Sequence, residues 1–418
     1  MSSPTIIEDV RARRVLDSRG DETIEVDVYT AAGMGRAAAP MGASRGEAEV
    51  KPYPEGGIEA ALEEVERTIA PELMGMDACD QRAVDELLHE LDDTPNFERI
   101  GGNTAYAVSL ASAEAAANSL GIPLYQHIAG VMARELPYPL GNVIGGGRHV
   151  RGLGPDFQEF LVIPIGAGSF LEAARVNVQV HRRACELLRE VDHSFAGGKG
   201  DEGAWATTLG CEEILSILSR ACQDVLELTG VECRVGVDVA ASTLWSPEEG
   251  VYVYRRENMR KSPGEQLEYI IELIERYNLA YVEDPLMDED FEGFSELVRR
   301  TRNCLICGDD LFSTNRRRLE RGIREGAANS IIIKPNQIGT LTDAWEAAKL
   351  ALSKGYVPIV SHRSGESTGA HIAHLAVAFN CPLIKTGVVG GERVAKLNEL
   401  IRIEETLGME ARMAELRL

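Results

Sequence analysis

Four short apolar segments in the second half of the chain each end in charged residues. They are residues 235–238, 280–285, 305–310 and 331–335. Each apolar run is too short for a helix and too continuous for a strand with one exposed face, so the pattern predicts strands that are buried on both faces. Helical patterns occupy most of the gaps between them. This alternation is typical of a parallel α/β sheet, and above all of a closed barrel.

Three of these segments carry a carboxylate at the strand end: Asp238, Glu283 and Asp309. In α/β barrels, charged residues at the C-terminal ends of strands point into the active site. Three ionised carboxylates buried together need a cation, and oxygen ligands without cysteine or histidine suit a hard ion such as Mg²⁺. The alternative for any one of them is a helix N-cap or a salt-bridge partner. Their recurrence at successive strand ends favours the metal site.

Two lysines also follow apolar strand patterns, Lys334 in one of the four segments and Lys385 in a later one. Burial and neighbouring cations lower the pKa of a lysine, so either is a candidate for a base that works near neutral pH. The alternative is a structural ion pair with a nearby carboxylate. Two lysines in one barrel mouth make a purely structural role for both the weaker interpretation.

Further candidate groups follow other strands or lie in loops. His362, Arg363 and Ser364 end an apolar strand pattern, and an arginine fork beside a hydroxyl suits phosphate or carboxylate binding. Glu159 and Glu202 lie in or beside glycine-containing loops and are candidate acids, although a single loop carboxylate is more often solvated. The glycine clusters match neither a Walker A loop nor a G-x-G-x-x-G fingerprint at a strand-to-helix turn, so nucleotide binding is not expected.

The first third of the chain has a different organisation. An antiparallel meander of strands is predicted from Ile6 to about Pro40. We therefore expect an α+β domain at residues 1–132 and the α/β barrel at residues 133–418, with Pro137 near the junction. Helical patterns are found at about residues 58–69, 81–91, 104–120, 170–191, 212–228 and 392–406.

Charge and composition exclude several function classes. The 418-residue chain has 43 basic and 66 acidic residues, a formal net charge of −23 at pH 7, which argues against binding nucleic acid or a membrane surface. No stretch approaches the roughly 20 apolar residues of a membrane span. No secretory signal is visible at residues 1–5, so a cytoplasmic protein is expected. Cys304 and Cys307 form the only C-x-x-C and lie in a predicted buried strand, where core residues are expected.

Short motifs spread over nearly the whole chain resemble those of the enolase family. The matching segments are residues 16–20, 42–44, 158–160, 200–203, 283–285, 308–311, 336–340, 361–366 and 384–387. Their number and order make chance similarity implausible. The resemblance implies a modified TIM barrel preceded by an α+β capping domain. It also implies a Mg²⁺-dependent lyase of glycolysis, a phosphopyruvate hydratase that converts 2-phosphoglycerate into phosphoenolpyruvate and water.

The resemblance implies a metal role for four residues. Asp238, Glu283 and Asp309 match the ligands of a tightly bound Mg²⁺ in the family. Ser44 matches the loop serine that helps to hold a second Mg²⁺ over the substrate. Two Mg²⁺ ions per active site are therefore expected.

The resemblance also implies catalytic and substrate-binding roles. Lys334 matches the base that takes the C2 proton, and Lys385 matches the lysine beside the substrate carboxylate. Glu202, supported by Glu159, matches the acid that assists departure of the C3 hydroxyl. The residues that match substrate contacts are His149, Gln158, His362, Arg363 and Ser364.

Several positions depart from the family pattern in the loops expected to cover the substrate, although none removes a catalytic group. The changed positions are Met41, Arg45, Gly145 and Arg148, and the segment from His149 to Glu159 is one residue longer than usual. These departures leave open a paralogue that performs the same elimination on a different phosphorylated or carboxylated hydroxy acid. An inactive enolase-like binding protein is disfavoured, because it would have no need for a costly buried charge cluster. The resemblance further implies a homodimer or homo-octamer that acts on a small anionic substrate.

Overall fold

The N-terminal strands form an antiparallel sheet in the computed structural model, which describes residues 3–42, 46, 48–150 and 154–418. Strands β1 (Ile7–Leu16), β2 (Glu22–Thr30) and β3 (Met34–Ala38) pair in that order. The predicted meander is confirmed. The central strand, β2, is buried over most of its length because the third strand and a helix pack beside it.

The helices of the first domain follow this sheet. They are α1 (Gly57–Glu64), α2 (Ala70–Leu73), α3 (Gln81–Asp92), α4 (Gly102–Leu120) and α5 (Leu124–Ala129). A π-helical turn, Val65–Ile69, joins α1 to α2, so the helical pattern predicted for residues 58–69 continues to Leu73. Helix α4 is almost entirely buried, since its many alanines let it pack closely on β2 and β3.

Within the described residues, eight of the later strands close into a barrel. The later strands are, in chain order, β4 (Glu135–Leu136), β5 (Tyr138–Gly145), β6 (Glu159–Ile163), β7 (Trp205–Ala206), β8 (Arg234–Asp238), β9 (Trp245–Ser246), β10 (Val251–Tyr254), β11 (Met259–Lys261), β12 (Tyr281–Glu283), β13 (Leu305–Gly308), β14 (Ser330–Ile333), β15 (Val357–Ser361), β16 (Leu383–Gly387) and β17 (Arg412–Met413). The order around the barrel is β5-β6-β8-β12-β13-β14-β15-β16, and β16 pairs with β5. The α/β barrel and the preceding α+β unit are therefore confirmed.

One barrel strand breaks the parallel arrangement. Strand β6 runs antiparallel to both neighbours, whereas the other adjacent barrel pairs are parallel. The sequence pattern predicted a parallel sheet from the four apolar segments and did not assign a direction to β6. The described residues between β5 and β6 include no α-helix, which a parallel neighbour usually requires.

The barrel helices lie close to their predicted positions. They are α6 (Phe170–Val191), α7 (Cys211–Thr229), α8 (Pro263–Tyr277), α9 (Phe291–Arg300), α10 (Arg316–Glu325), α11 (Leu341–Ser353), α12 (His371–Ala378) and α13 (Gly391–Leu407). Sequence analysis missed a small antiparallel sheet, β11-β10-β9, inserted between β8 and α8. Its strands are only two to four residues long, too short to stand out as a pattern. Among the described residues, no helix is both long and apolar enough to cross a membrane.

A separate apolar cluster fills the barrel interior. Its buried members are Leu140, Leu161, Ile163, Ala280, Tyr281, Leu305, Cys307, Ile332, Ile359 and Leu383. Leu416 and Leu418 of the C-terminal tail pack against this cluster. Cys304 and Cys307 are buried and free, as expected for core residues. The barrel is therefore a packed core.

The packing of α4 on β3 depends on Gly35. A Cβ at this position would lie 2.0 Å from the carbonyl oxygen of Ala111 and 2.4 Å from the backbone nitrogen of Ala115. Because the helix backbone cannot move aside as a side-chain end can, Gly35→Ala should lower the free energy of unfolding by about 3 kcal/mol. Gly264→Ala in α8 is the matched control, since a Cβ there meets nothing within 4 Å. Urea denaturation that gives both variants the same stability would contradict this account of the packing.

Candidate active site

The C-terminal ends of the parallel strands surround a polar cavity. Most of the predicted site residues line it: His149, Gln158, Glu159, Glu202, Asp238, Asp309, Lys334, His362, Arg363, Ser364 and Lys385. Glu283 is buried beside them and accepts a hydrogen bond from Lys385. Ser44 lies outside the described residues, so its assignment to a second metal stays a prediction. The structure thus brings together the described candidates at one end of the barrel.

Strand register aligns three carboxylates around one lysine. Glu159 pairs with Asp238 across β6 and β8, and Asp238 pairs with Glu283 across β8 and β12. Because β6 is antiparallel, its first residue reaches the same level as the last residues of its parallel neighbours. Lys385 Nζ lies 3.1 Å from Asp238 Oδ2, 2.7 Å from Glu283 Oε2 and 3.3 Å from Glu159 Oε2. This ammonium therefore links three barrel strands at the cavity floor.

The second lysine, Lys334, follows β14 and forms an ion pair with Asp309, which follows β13. Gln337 Nε2 donates to the other oxygen of Asp309 at 2.9 Å, so this carboxylate is fixed from two sides. Gln337 lies in the short helical turn directly after the lysine. The geometry holds the amine of Lys334 at the cavity wall.

The predicted direction of the lysine pKa shifts was wrong for this charge arrangement. Burial acts to lower the pKa of Lys334, but the Asp309 carboxylate outweighs it and raises the pKa. Burial also acts to lower the pKa of Lys385, where Asp238, Glu159 and Glu283 raise it well above the usual value. The prediction took account of burial and of neighbouring cations, whereas carboxylates in direct contact dominate here.

The cavity contains more carboxylates than cationic side chains. Among its described lining residues, seven are aspartate or glutamate and three are lysine or arginine, so the lining cannot neutralise itself. Burial and the charge of Asp238 raise the pKa of Glu283 to about 7. Burial and the charge of Asp309 raise the pKa of Asp310 to about 8. These acids hold protons near neutral pH because burial and the neighbouring carboxylates outweigh the nearby lysines.

The donor set fits a hard divalent cation. Glu283 Oε1 is buried and accepts no hydrogen bond from the described residues. Ligand oxygens of Glu283, Asp284 and Asp309 lie within 4.8 Å of one another, and the three residues can together hold a metal ion. All the donors are carboxylate oxygens, which are the ligands that Mg²⁺ prefers.

The group formed by Glu283, Asp284 and Asp309 differs at one position from the predicted ligand set, which had Asp238 in place of Asp284. Asp284 accepts the backbone amide hydrogens of Asp309 at 3.0 Å and Asp310 at 2.9 Å, so both of its oxygens already orient the loop after β13. Asp238 instead contacts Lys385 and accepts a hydrogen bond from Gln158 Nε2 at 3.3 Å. Sequence analysis missed Asp284 as a loop-orienting residue, although it lies beside Glu283 in a matched family motif.

Glu159 and Glu202 form a second acidic group, and Glu159 of this group contacts Lys385. His149 Nδ1 lies 3.6 Å from Glu159 Oε1 and 3.9 Å from Glu202 Oε1. Burial and the charge of Glu202 raise the pKa of Glu159 well above its usual value. Burial acts in the same direction on Glu202, but His362, His149 and Arg393 outweigh it and lower its pKa. Of the two carboxyl groups, Glu159 therefore has the higher pKa and is the one that binds a proton more readily.

Arg393, in α13, fixes the imidazole of His362. Arg393 Nη1 donates to His362 Nδ1 at 2.8 Å and to the carbonyl oxygen of Arg363 at 2.6 Å. Nδ1 therefore accepts, and the ring proton sits on Nε2, which lies 3.1 Å from Glu202 Oε2. Burial lowers the pKa of His362 to about 4, so the ring is neutral. Sequence analysis missed Arg393, because helical periodicity does not distinguish a buried arginine from an exposed one.

Arg363 already binds a carboxylate from the first domain. Its Nη2 lies 3.1 Å from both oxygens of Glu49, and its Nη1 donates to Asn336 Oδ1 at 3.2 Å. The guanidinium is thus positioned to bind an anion at the cavity wall. Neither contact was predicted, since both residues lie far from Arg363 in sequence. Asn336 belongs to a matched family segment, but the segment does not indicate which side chain it contacts.

The described positions that depart from the family pattern have different surroundings. Arg148 is exposed, is absent from the described lining residues and forms no ion pair with any of them. Met41 exchanges two backbone hydrogen bonds of 2.8 Å with Gly365, which joins the first domain to the loop after β15. Gly145 lies opposite Glu159 in the barrel. Arg45 lies outside the described residues.

Comparisons with known proteins agree with these features. The family model for the C-terminal TIM barrel domain of enolase matches residues 133–417, and the model for the enolase N-terminal domain matches residues 7–128. A protein of Methanothermobacter thermautotrophicus named enolase is 55% identical over 413 residues, which cover 99% of each chain. Enolase of Methanosphaera stadtmanae is 54% identical over 413 residues, 99% of this chain and 100% of that one. Enolase of Archaeoglobus fulgidus is 52% identical over 405 residues, 96% and 98% of the two chains.

The carboxylate excess predicts that the metal-free protein loses stability as the pH rises. The pKa values of Glu283 and Asp310 are raised above their ordinary values of 4.5 and 3.8, so the folded chain binds protons that the unfolded chain has released. Their stabilising effect is present at low pH and is lost as the pH rises through about 7 and 8. We expect the free energy of unfolding in a chelator to fall between pH 6.5 and 8.5, by roughly 1.4 kcal/mol per pH unit for each proton.

The control for this prediction is Asp310→Asn, which should flatten the slope because the amide does not titrate. Saturating Mg²⁺ should reduce the slope of the wild type for the same electrostatic reason. Thermal denaturation that shows the metal-free wild type equally stable, or more stable, at pH 8.5 would contradict the assignment.

Proposed function

The chain belongs to the enolase family, and on that premise we propose that it is a hydro-lyase that dehydrates 2-phosphoglycerate to phosphoenolpyruvate. The observation that carries the proposal is a lysine and a buried carboxyl group of raised pKa on opposite walls of one cavity. Lys334 follows β14 and Glu159 begins β6, and three strands separate β14 from β6 in either direction around the barrel. A proton acceptor and a proton donor are thus placed across a small anionic substrate.

Lys334 is the proposed base for the C2 proton of the substrate. Asp238, Glu283 and Asp309 are the proposed ligands of the tightly bound Mg²⁺, and Ser44 is proposed to help hold a second one. Bound Mg²⁺ supplies positive charge that neutralises these carboxylates and polarises the substrate carboxylate. Once Asp309 no longer stabilises its ammonium form, Lys334 can hold a neutral amine near pH 7.

Lys385 and the acid pair are proposed to complete the reaction. Lys385 lies beside the substrate carboxylate and stabilises the negative charge that develops there when the C2 proton leaves. Glu202 then assists departure of the C3 hydroxyl, and Glu159 supplies a proton. The neutral His362 lies beside that carboxylate, with its Nε2 3.1 Å from Glu202 Oε2.

The remaining candidates are proposed to bind the substrate. Arg363 and Ser364 hold the phosphate, because a guanidinium fork beside a hydroxyl matches its oxygens. The phosphate displaces the Glu49 carboxylate from Arg363, because a phosphate dianion carries two negative charges and a carboxylate carries one. His149, Gln158 and His362 contact the rest of the molecule.

The larger-scale assignments are part of the same proposal. We assign residues 1–132 to the α+β capping domain and residues 133–418 to the catalytic barrel. The Arg363–Glu49 contact supports a capping role, since it brings a first-domain side chain into the cavity. Membership of the family further supports a cytoplasmic enzyme of glycolysis that acts as a homodimer or homo-octamer.

The first prediction from the proposal concerns activity and metal. The purified chain with Mg²⁺ should form phosphoenolpyruvate from 2-phosphoglycerate, followed by ultraviolet absorbance, with a kcat on the order of 10 per second. Asp238→Ala and Asp309→Ala should each lower kcat by roughly 10²-fold or more, since several kcal/mol of charge stabilisation are lost. Both should also weaken Mg²⁺ binding in calorimetry. Glu292→Ala, an exposed carboxylate on α9, is the control. Wild-type Mg²⁺ affinity in either cavity variant would remove that residue from the ligand set.

The second prediction separates the base from the acid. Lys334→Ala should lose both turnover and exchange of the C2 proton with deuterated water, because the same amine performs both. Glu202→Gln should lose turnover but keep exchange, since it acts after the proton has left. Mass spectrometry of recovered substrate measures the exchange. Exchange retained by Lys334→Ala would transfer the base role to another group, with Lys385 the next to test.

A further inference from the structure

The turn between β10 and β11 contacts two chain segments near the candidate acids, one just before Glu159 and one after Glu202. The backbone amides of Arg255 and Arg256 donate to the two oxygens of Asp156, each at 2.9 Å. Asp156 lies three residues before Glu159, in the connection that enters β6. The turn therefore anchors the chain directly before the first catalytic acid.

The same turn holds the chain that follows Glu202. Arg256 Nε donates to the carbonyl oxygen of Thr208 at 2.6 Å. Glu257 Oε1 accepts the backbone amide hydrogen of Cys211 at 2.8 Å, at the first residue of α7. Three consecutive residues thus connect two loops that are separated by more than forty positions in sequence.

Two carboxyl groups meet where these anchors converge. The carboxyl groups of Asp156 and Glu257 are close enough to shift each other's pKa. Glu257 Oε2 is buried and receives no hydrogen bond from the N–H and O–H groups of the described residues. Two ionised carboxylates have no donor to share, so such a contact requires a proton on one of them.

The proton belongs to Asp156. Burial and the adjacent Glu257 raise the pKa of Asp156 to about 7. Burial also acts to raise the pKa of Glu257, but the hydrogen bond from Asp156 and the Cys211 amide outweigh it and lower the pKa. Asp156 therefore donates to an ionised Glu257 below about pH 7. Above that pH the two groups become adjacent negative charges.

Other titratable groups pack around the pair. Burial raises the pKa values of Cys211 on α7, Tyr254 on β10 and Tyr269 on α8. The ammonium of Lys261 on β11 lies over the Tyr269 ring at 4.0 Å. The remaining charged groups on the packed elements are Arg255 and Arg256 on the turn, and Glu212 and Glu213 on α7. Glu212 accepts a hydrogen bond from Arg276, and Glu213 accepts one from the Gly210 amide.

We propose that Asp156 and Glu257 form a proton-sharing clamp that positions the acid half of the active site. The pair acts as positioning residues through the turn, which fixes the loops of Glu159 and Glu202 relative to each other. Neither residue is among the described residues that line the cavity. The inference rests on the proposed dehydration, in which those two carboxyl groups release the C3 hydroxyl.

The test compares two substitutions of one residue. Glu257→Ala removes the clamp. Glu257→Gln replaces the shared proton by an amide N–H that donates to Asp156, while its carbonyl oxygen still accepts from Cys211. Glu257→Ala should lower kcat for phosphoenolpyruvate formation by roughly 10²-fold, since small displacements of catalytic groups have effects of that size. Glu257→Gln should stay within about threefold of the wild type at pH 6.5. Glu249→Ala, which removes an exposed partner of Arg260 in the same small sheet, is the matched control.

Two further readouts separate positioning from loss of stability. Exchange of the C2 proton depends on Lys334, so Glu257→Ala should retain it within about threefold while turnover falls. The ratio of Glu257→Gln to wild-type turnover should rise from pH 6.5 to 8.5, because only the wild type loses its clamp proton. Thermal denaturation of each variant shows whether it is folded under the assay conditions.

The possible outcomes are distinct. If the wild type forms no phosphoenolpyruvate, the proposed function fails before the clamp is tested. If the wild type is active and Glu257→Ala matches it, the clamp is overturned. Equal losses of exchange and turnover in Glu257→Ala, or equal impairment of both Glu257 variants, would also overturn it. If the ratio of Glu257→Gln turnover to wild-type turnover does not change with pH, the two carboxyl groups do not share a proton.

Discussion

Repulsion among carboxylates at the mouth of the barrel is the constraint on which the site depends. Strand register places Glu159, Asp238 and Glu283 side by side, and Lys385 contacts all three. Lys334 neutralises Asp309, yet the lining still contains more carboxylates than cations. The folded chain responds by keeping protons on some of the acids. A bound divalent cation replaces those protons with charge that can act on a substrate.

The scaffold produces this charge density through two features of the backbone. Parallel strands align their C-terminal ends, and the one antiparallel strand brings the first residue of β6 to the same level. The inserted turn between β10 and β11 then ties together the loops around Glu159 and Glu202. Strand ends therefore position the proposed base, the proposed metal ligands and Glu159, whereas Glu202 lies in a loop between α6 and β7. Substitutions outside the cavity should affect the acid half more than the base half.

The sequence allowed the barrel, the N-terminal meander and most of the site to be predicted, because each of these depends on local patterns. An apolar run that ends in Asp238 or Lys334 predicts that this residue lies at a strand end, and the prediction uses only the local sequence. The antiparallel β6, the buried Arg393 and the Glu49 contact depend on which distant segments meet, and no local pattern reports that. The lysine pKa shifts were predicted with the wrong sign for the same reason, since the balance between burial and carboxylate contact exists only in the assembled site.

The proton count of Mg²⁺ binding tests the central claim most directly. Calorimetric titration at pH 7, in two buffers with different heats of ionisation, reports how many protons leave as the ion binds. The account predicts a net release of about one proton per chain, because Glu283 and Asp310 are partly protonated in the metal-free site. It also predicts a smaller release at pH 9, where both acids are ionised beforehand. Identical heats in the two buffers at pH 7 would mean that the carboxylates carry full charge without a cation, and would contradict the account.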